Sequence, residues 1–475
     1  MRNVNGMIWW VVGAGLLLAG TTQAHPAGEY GVISTATTNL SKVRALGPEA
    51  DVLGIHRESQ SVQIRLPLHR IAELEDAGIH VTELDSQGFV TGSALQGYKS
   101  PGEVTTILEN MASQHPAITR LKELGRSHEN RPVYALELGF PESIRIKPAI
   151  LFNGMHHARE VMTTEVILDI AEYVLANQNT PEVRGWLENY QIILVPQVNP
   201  DGGHRVHEGD RWWRKNAWKQ GSMVWGVDLN RNYPTLWSGC NGSSGSVLAQ
   251  DYRGPQAASE PETQAMITLV SEAQPVFNIS YHSYSELIIY PFGCERERNP
   301  SVETFRRIAV AMAEEIRDDS GRTGTYQIGT APELLYQADG TDLDYQWQEH
   351  NVIAYTLEVN SRSQGFQPDF GRWRDKTVEA QRGGWMTLMR RMEEGGVRAI
   401  FAPDTVQSLT LQVKTATGYS RWDRGRNKKA GLRQGQLLYQ LLEDGSYRLL
   451  VEKKDGSQVA HEFVVRGRMT NLGQL

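Results

Sequence analysis

The sequence predicts an α/β protein built on a largely buried central sheet, with a small α+β unit before it and a small all-β unit after it. Three observations carry that expectation. Apolar strand-like runs alternate with amphipathic, helix-length stretches from about residue 100 to residue 394, the pattern of a sheet covered by helices. A shorter strand and helix alternation occupies residues 29–84, and beyond Gly395-Gly396 the pattern changes to short alternating strands with Asp-Gly turns. At 475 residues the chain exceeds what one hydrophobic core ordinarily serves, so two or more globular units are expected.

From the N-terminus, Met1-Arg2 precedes the apolar run Met7–Ala19, and Thr22-Gln23-Ala24 supplies the small residue of a cleavage site. Residues 1–24 therefore read as a secretion signal, and the chain is expected in the periplasm or outside the cell. The apolar run is shorter than the ~20 residues a membrane-spanning helix needs, so no stable insertion is expected after cleavage. Next, Gly31–Thr35, Val62–Leu66 and His80–Leu84 read as strands, and Asn39–Leu46 and Leu68–Ala77 as helices, which makes two helices on a sheet. Ser86–Pro101, rich in Gly, Ser and Gln, reads as a linker or cleavable hinge.

Ser100 and Glu103 have the spacing of a capping box, with Pro101 in the first turn, and open a helix through Ile107 and Met111. Strands are expected at Pro148–Asn153, Ile192–Val198, Val276–Tyr281 and Val352–Val359, and helices at Ala158–Ala176, Glu260–Glu272 and Val302–Arg317. Ser259-Glu260-Pro261-Glu262 reads as a second capping box with a structural role only. A helix from Arg374 to Glu394 stops at Gly395-Gly396. The β-rich tail follows, with strands at Leu409–Val413, Gln436–Leu442, Tyr447–Glu452 and Val459–Val465. The expected division is 1–24, 25–98, 99–397 and 398–475.

Net charge is −7 and the sequence pI is near 6.0, with no dense Lys/Arg run. Neither a nucleic-acid groove nor a polybasic membrane surface is expected, and small or peptide substrates fit better. The two cysteines, Cys240 and Cys294, are too few for a disulfide scaffold and lack Cys-x-x-Cys spacing. One bridge bracing loops is the expectation for an exported chain with an even count.

Chemistry concentrates in three distant segments: Gly154–Glu160, Tyr281-His282-Ser283 and Thr356–Val359. Each lies near the carboxyl end of an expected strand, where open α/β sheets gather ligands. A catalytic zinc takes three protein nitrogen or oxygen ligands and keeps one position open. Glu160, His282 and a histidine of the His156-His157 doublet can supply the three, and spacing alone does not choose within the doublet. Glu358 remains as a carboxylate free to act as general base to water. The rival hydrolase signatures His-Glu-x-x-His and Gly-x-Ser-x-Gly are missing, and Gly242–Ser246 has the wrong spacing for the latter.

The order and spacing of further motifs resemble the secreted zinc carboxypeptidases of the pancreatic A/B type over roughly Tyr98 to Glu394. The likeness rests on Asn153–Glu160, Asn199-Pro200-Asp201-Gly202, Trp213-Arg214-Lys215, Val227–Tyr233, Ser259–Glu262, His282–Ser285 with Tyr290–Gly293, Tyr336–Gly340 and Thr356-Leu357-Glu358. It implies a mixed central sheet with helices on both faces and one Zn2+, held by His157, Glu160 and His282. It also implies Glu358 as general base, Arg214 as stabiliser of the oxyanion, and Asp228 as the carboxylate behind a zinc-binding histidine. Arg231 and Asn230 would receive the terminal carboxylate of a peptide or protein, Tyr336 would close over it, and Arg159 would lie on its approach path.

The resemblance further implies a specificity pocket with Leu343 at its base and Ile289, Gly293, Leu335, Ala338 and Thr356 around it, suited to apolar or aromatic terminal residues. Asp342, turned inward, would admit Lys or Arg; turned outward, it would be solvated. Residues 25–98 resemble a short inhibitory pro-segment, released by an activating protease that cuts between Ser86 and Ser100. Two other readings are a catalytically dead peptide-binding protein and a hydrolase of cell-wall peptides or acylated amino acids. The complete set of expected residues argues against the first, and Arg231 with Tyr336 against the second.

Overall fold

Eight strands form one mixed sheet at the centre of the computed structural model. Their order is Gln327–Gly329, Leu287–Ile289, Ile353–Val359, Phe277–Ser283, Ala149–Gly154, Gln191–Val195, Pro132–Leu138 and Thr119–Arg126. The four middle strands run parallel, while Leu287–Ile289, Pro132–Leu138 and Thr119–Arg126 pair antiparallel to their inner neighbours. The structure describes residues 30–45, 47–56, 59–84, 95–141, 147–392, 394–402, 404–421, 428–431, 435–440 and 444–475. The expected secretion signal and most of the expected linker lie outside the described residues.

The parallel strands are buried on both faces because they alternate between two cores. Ile150, Phe152, Ile279 and Tyr355 pack on one side with Ile167, Phe305 and Trp385, from helices Met162–Ala176, Val302–Ala313 and Phe370–Arg391. Ala149, Leu151, Ile193 and Ala354 pack on the other with Met266, Leu269 and Val270, from helix Pro261–Ala273. This is the α/β architecture with helices on both faces. The capping box at Ser100 forms, with Glu103 N donating to Ser100 Oγ and the Glu103 carboxylate accepting from Ser100 N, at the start of helix Pro101–Gln114.

Ahead of the sheet, strands Tyr30–Ala36, Asp51–His56, Ser61–Pro67 and Thr82–Leu84 form a four-stranded sheet with helices Leu40–Ala45 and Leu68–Asp76, closed over Ile33, Val62, Ile64, Ile71 and Leu74. After it, two four-stranded sheets enclose a separate core of Val397, Leu409, Leu411, Tyr447, Leu449 and Val465. Among the described residues no helix is long and apolar enough to cross a membrane.

Three expected helix starts differ. The long helix expected from Arg374 begins at Phe370, because Asp369 caps it by accepting from Arg372 N. The helix expected from Ala158 begins at Met162, because Ala158 N donates to the Arg214 carbonyl and Met155 takes a positive φ of 59°, which breaks the helical ladder. The capping box expected at Ser259 does not form. Glu260 is the N-cap and makes no side-chain cap, since Ser259 Oγ is bonded to Glu260 Oε1 and Asn232, while Glu260 N donates to Asn232 Oδ1.

Candidate metal centre

The sheet register places the two central groups. His282 and Glu358 are directly paired in neighbouring parallel strands, so both side chains emerge side by side at the carboxyl end of the sheet. The strand Ala149–Gly154 flanks Phe277–Ser283 on its other edge and runs into the turn 155–161. There Glu160 N donates to the His157 carbonyl at 3.2 Å, which folds both side chains towards His282.

His157 Nδ1 lies 2.7 Å from Glu160 Oε1, His282 Nδ1 2.9 Å from Glu160 Oε2, and the two Nδ1 atoms 3.1 Å from each other. All three side chains are buried. Bonds of ~2.0–2.1 Å to a tetrahedral zinc would set ligand atoms ~3.3 Å apart, close to these spacings. Two imidazole nitrogens and a carboxylate facing one another away from water call for a cation between them. These three residues can hold a metal, and the donor set suits zinc. Although burial opposes it, His157 and His282 hold the Glu160 carboxyl well below the usual range.

His156 points elsewhere: its Nε2 is 2.9 Å from the Tyr233 hydroxyl, and its ring stacks on His282 at 5.7 Å. Asp228 lies behind His157, with Oδ1 3.2 Å from His157 Nε2. The same oxygen accepts from Asn230 N at 2.9 Å, so the Asx turn and the contact to His157 coexist. Asp228 Oδ2 accepts from Arg214 Nε and Nη2 at 3.0 and 2.8 Å. Burial opposes ionisation of Asp228, yet Arg214 and His157 hold it well below the carboxylate range.

His282 is supported by a network that the sequence did not flag. Its Nε2 is 3.3 Å from Ser280 Oγ, which donates to Asn153 Oδ1 at 2.8 Å, and Asn153 Nδ2 donates to Asn278 Oδ1 at 2.9 Å. Ser280 sits two residues before His282 on one strand, hence on the same face. That spacing was the available signal.

Glu358 is partly exposed into a cavity that it shares with Asn230, Arg231, Tyr336, Ile289, Gly293, Leu335, Ala338, Leu343 and Thr356. Burial, and next the neighbouring Glu160, push its carboxyl up to about 8. Arg231 is oriented by two carbonyls, Nη1 to Asn230 O at 2.7 Å and Nε to Gly242 O at 3.1 Å. A Cβ at Gly293 would collide with the Ala338 carbonyl, so only glycine fits that wall.

Asp342 takes neither of the two expected positions. It is buried in the first turn of helix Asp342–His350, where both its oxygens accept from Gln346 Nε2 at 2.8 and 2.9 Å, and burial pushes its carboxyl up to about 6. Thr341 caps this helix and thereby sets Asp342 one turn from Gln346, away from the cavity wall. Cys240 and Cys294 are joined in a disulfide. Beside it, Asp339 accepts from Cys240 N and Gly242 N at 2.9 and 3.0 Å, so the loop carrying Tyr336 is braced from both sides.

Arg159 is buried and bound to the N-terminal unit: its Nη1 and Nη2 donate to Asp51 at 2.5 and 3.2 Å. Val52 and Leu53 of the same strand form part of the cavity wall, leaving about 70 Å³ of space. The Tyr284 hydroxyl donates to Gln63 Oε1 at 3.2 Å.

With this geometry in view, a family profile described as zinc carboxypeptidase matches residues 104–381. A zinc carboxypeptidase A 1 of Anopheles gambiae is 30% identical over 280 residues, which cover 58% of this chain and 61% of that protein. Carboxypeptidase A1 of Bos taurus is 26% identical over 328 residues, covering 67% of this chain and 76% of its own. Among solved structures, the carboxypeptidase A from Helicoverpa armigera superposes with a TM-score of 0.65 at 22% identity, over 76% of this chain and 95% of that one. The chain thus spans just under two thirds of the length of the first curated relatives it matches.

Proposed function

The chain belongs to the zinc carboxypeptidase family, and from that premise we propose that it is a secreted metallocarboxypeptidase of the pancreatic A/B type. In this reading it hydrolyses the C-terminal bond of peptides and proteins and favours apolar or aromatic terminal residues. The observation that carries the reading is one cavity holding the His157, Glu160 and His282 donor set, the non-ligating Glu358, and Arg231.

His157, Glu160 and His282 would hold a zinc ion, which would supply Lewis acidity towards a carbonyl and a water molecule. Glu358 accepts the proton of the attacking water and returns it to the leaving amine. Arg214, fixed by Asp228, stabilises the charge that develops on the carbonyl oxygen. Arg231 and Asn230 receive the terminal carboxylate, for which a planar guanidinium offers two parallel hydrogen bonds. Tyr336 closes over the substrate, while Leu343, Ile289 and Gly293 shape the side-chain pocket. With Asp342 committed to Gln346, a substrate cation would find no carboxylate there, which favours the apolar preference.

The N-terminal unit acts as an inhibitory pro-segment within residues 25–98, ahead of a catalytic part from residue 99 and a β-rich tail that opens with strand Gly396–Ile400, two residues before the expected boundary at 398. Support comes from Asp51 on Arg159 and from Val52 and Leu53 in the cavity wall. A protease cutting between Ser86 and Ser100 would release it. Export is supported by the apolar run Met7–Ala19 before Ala24 and by the disulfide, which belongs to oxidising compartments.

The test is a panel of blocked dipeptides ending in Phe, Leu, Lys, Arg or Glu, run on processed protein with and without chelator. Turnover of the Phe and Leu peptides, lost with chelator and lost on amidation of the terminus, is the expected result. Cleavage of amidated peptides would instead indicate an endopeptidase.

A further inference from the structure

A second group of ligating side chains lies outside this centre. His128 comes from the turn between strands Thr119–Arg126 and Pro132–Leu138, and Glu260 and Glu262 flank Pro261 at the start of helix Pro261–Ala273. One ligand atom of each lies within 4.8 Å of the other two. His128 Nε2 is 2.8 Å from Glu260 Oε2. Asn216 Nδ2 donates to Glu260 Oε2 at 2.7 Å and to Glu262 Oε2 at 3.1 Å, so one amide holds the two carboxylates together.

Both carboxylates are 0% exposed. Glu260 is met by the Ser259 hydroxyl and His128 as well as by Asn216, while burial pushes the neighbouring Glu262 carboxyl up to about 7, the cost of two acids enclosed together. Independently, Glu262 Oε1 is buried with no hydrogen-bond partner among the described residues. A buried oxygen left in that state is costly, and a bound cation would remove the cost.

We propose that His128, Glu260 and Glu262 bind a second divalent cation of the zinc class. One imidazole and two carboxylates match the nitrogen and oxygen sets that zinc accepts, whereas calcium and magnesium favour all-oxygen shells. His128 is partly exposed, which gives the ion a route from solvent. The role is structural. Asn216 lies two residues beyond Arg214, and its Oδ1 accepts from Trp218 N and Val227 N at 3.1 and 2.8 Å. The cation therefore ties the 127–131 turn and the helix start to the loop that carries Arg214.

Native mass spectrometry of the full chain, equilibrated in a zinc buffer, counts the equivalents. Wild type is expected to hold two zinc ions, and His128→Ala and Glu262→Gln one each, with unchanged circular dichroism. A His157→Ala background isolates the second site: one equivalent remains there, adding His128→Ala takes it to zero, and zinc raises the thermal midpoint of the first variant only. One equivalent in wild type, as for a plain His128–Glu260 ion pair, or a second equivalent surviving either substitution in a folded chain, overturns the proposal. His128→Ala alters a partly exposed side chain and carries the test if Glu262→Gln does not fold.

Discussion

At the scale of the residue, Glu358 is the group whose removal separates chemistry from metal binding, because it lines the cavity without joining the His157, Glu160 and His282 set. Glu358→Gln is expected to lower kcat by about 10²–10⁴-fold, the usual worth of a positioned general base, while the zinc content of the protein stays unchanged. Arg231→Ala removes a charge-assisted contact to the substrate carboxylate worth about 1.5–3 kcal/mol, so kcat/KM should fall roughly 10- to 100-fold, mainly through KM. Steady-state kinetics on one blocked dipeptide measures both. The carboxylate and the imidazoles were legible as residue types at strand ends. The choice of His157 over His156 was not legible from spacing, because it depends on a turn that aims one ring at Glu160 and the other at Tyr233. Ser280 offered only its two-residue spacing from His282 as a signal, and Asn153 stood in the motif before His157 without a role of its own, because their contact exists only once neighbouring strands bring them together.

Elements show where periodicity suffices and where it fails. Continuous apolar runs gave the buried parallel strands to within a few residues, since a strand buried on both faces needs nothing else. The outer strand Thr119–Arg126, by contrast, carries Arg120, Lys122, Glu123 and Arg126, and none of its residues is fully buried, so its pattern resembles a solvated segment. Strand Asp51–His56 was also missed, interrupted by Gly54 in a register shift against Ser61–Pro67. That strand supplies the contact on which the proposed inhibition turns. Burial alone would raise the Asp51 carboxyl, but Arg159 outweighs it and holds it below its ordinary value. A depressed carboxyl contributes its stabilisation in full above the free value of about 3.9 and loses it as pH falls through the docked value. The isolated pro-segment should therefore inhibit processed enzyme with constant affinity from neutral pH down to about 4 and release it at lower pH. Asp51→Asn strands Arg159 without its partner, at a cost of about 3–5 kcal/mol, so the inhibition constant should rise on the order of 100-fold or more at neutral pH. Titration of the enzyme with pro-segment variants at several pH values reads both effects.

Across the whole molecule, the central sheet and the C-terminal sheets draw on different cores. Phe152 is fully buried under Trp385, with ring centroids 6.4 Å apart, so Phe152→Ala should cost about 3–5 kcal/mol in denaturant unfolding of the sheet unit. The C-terminal sheets close over a core of their own, and a chain ending near residue 394 is expected to keep its dipeptide turnover; an inactive, aggregated truncation would show that the tail supports the catalytic part. The pairing of His282 with Glu358 across adjacent strands has a consequence for how such a protein can change. Side chains alternate between the two faces of a strand, so one residue inserted or deleted between Ile353 and Leu357 would turn the carboxylate to the far side of the sheet while leaving the imidazole in place. Length variation there is all or nothing: the loops beyond the strand ends can drift in size, but the stretch leading to Glu358 tolerates substitution only.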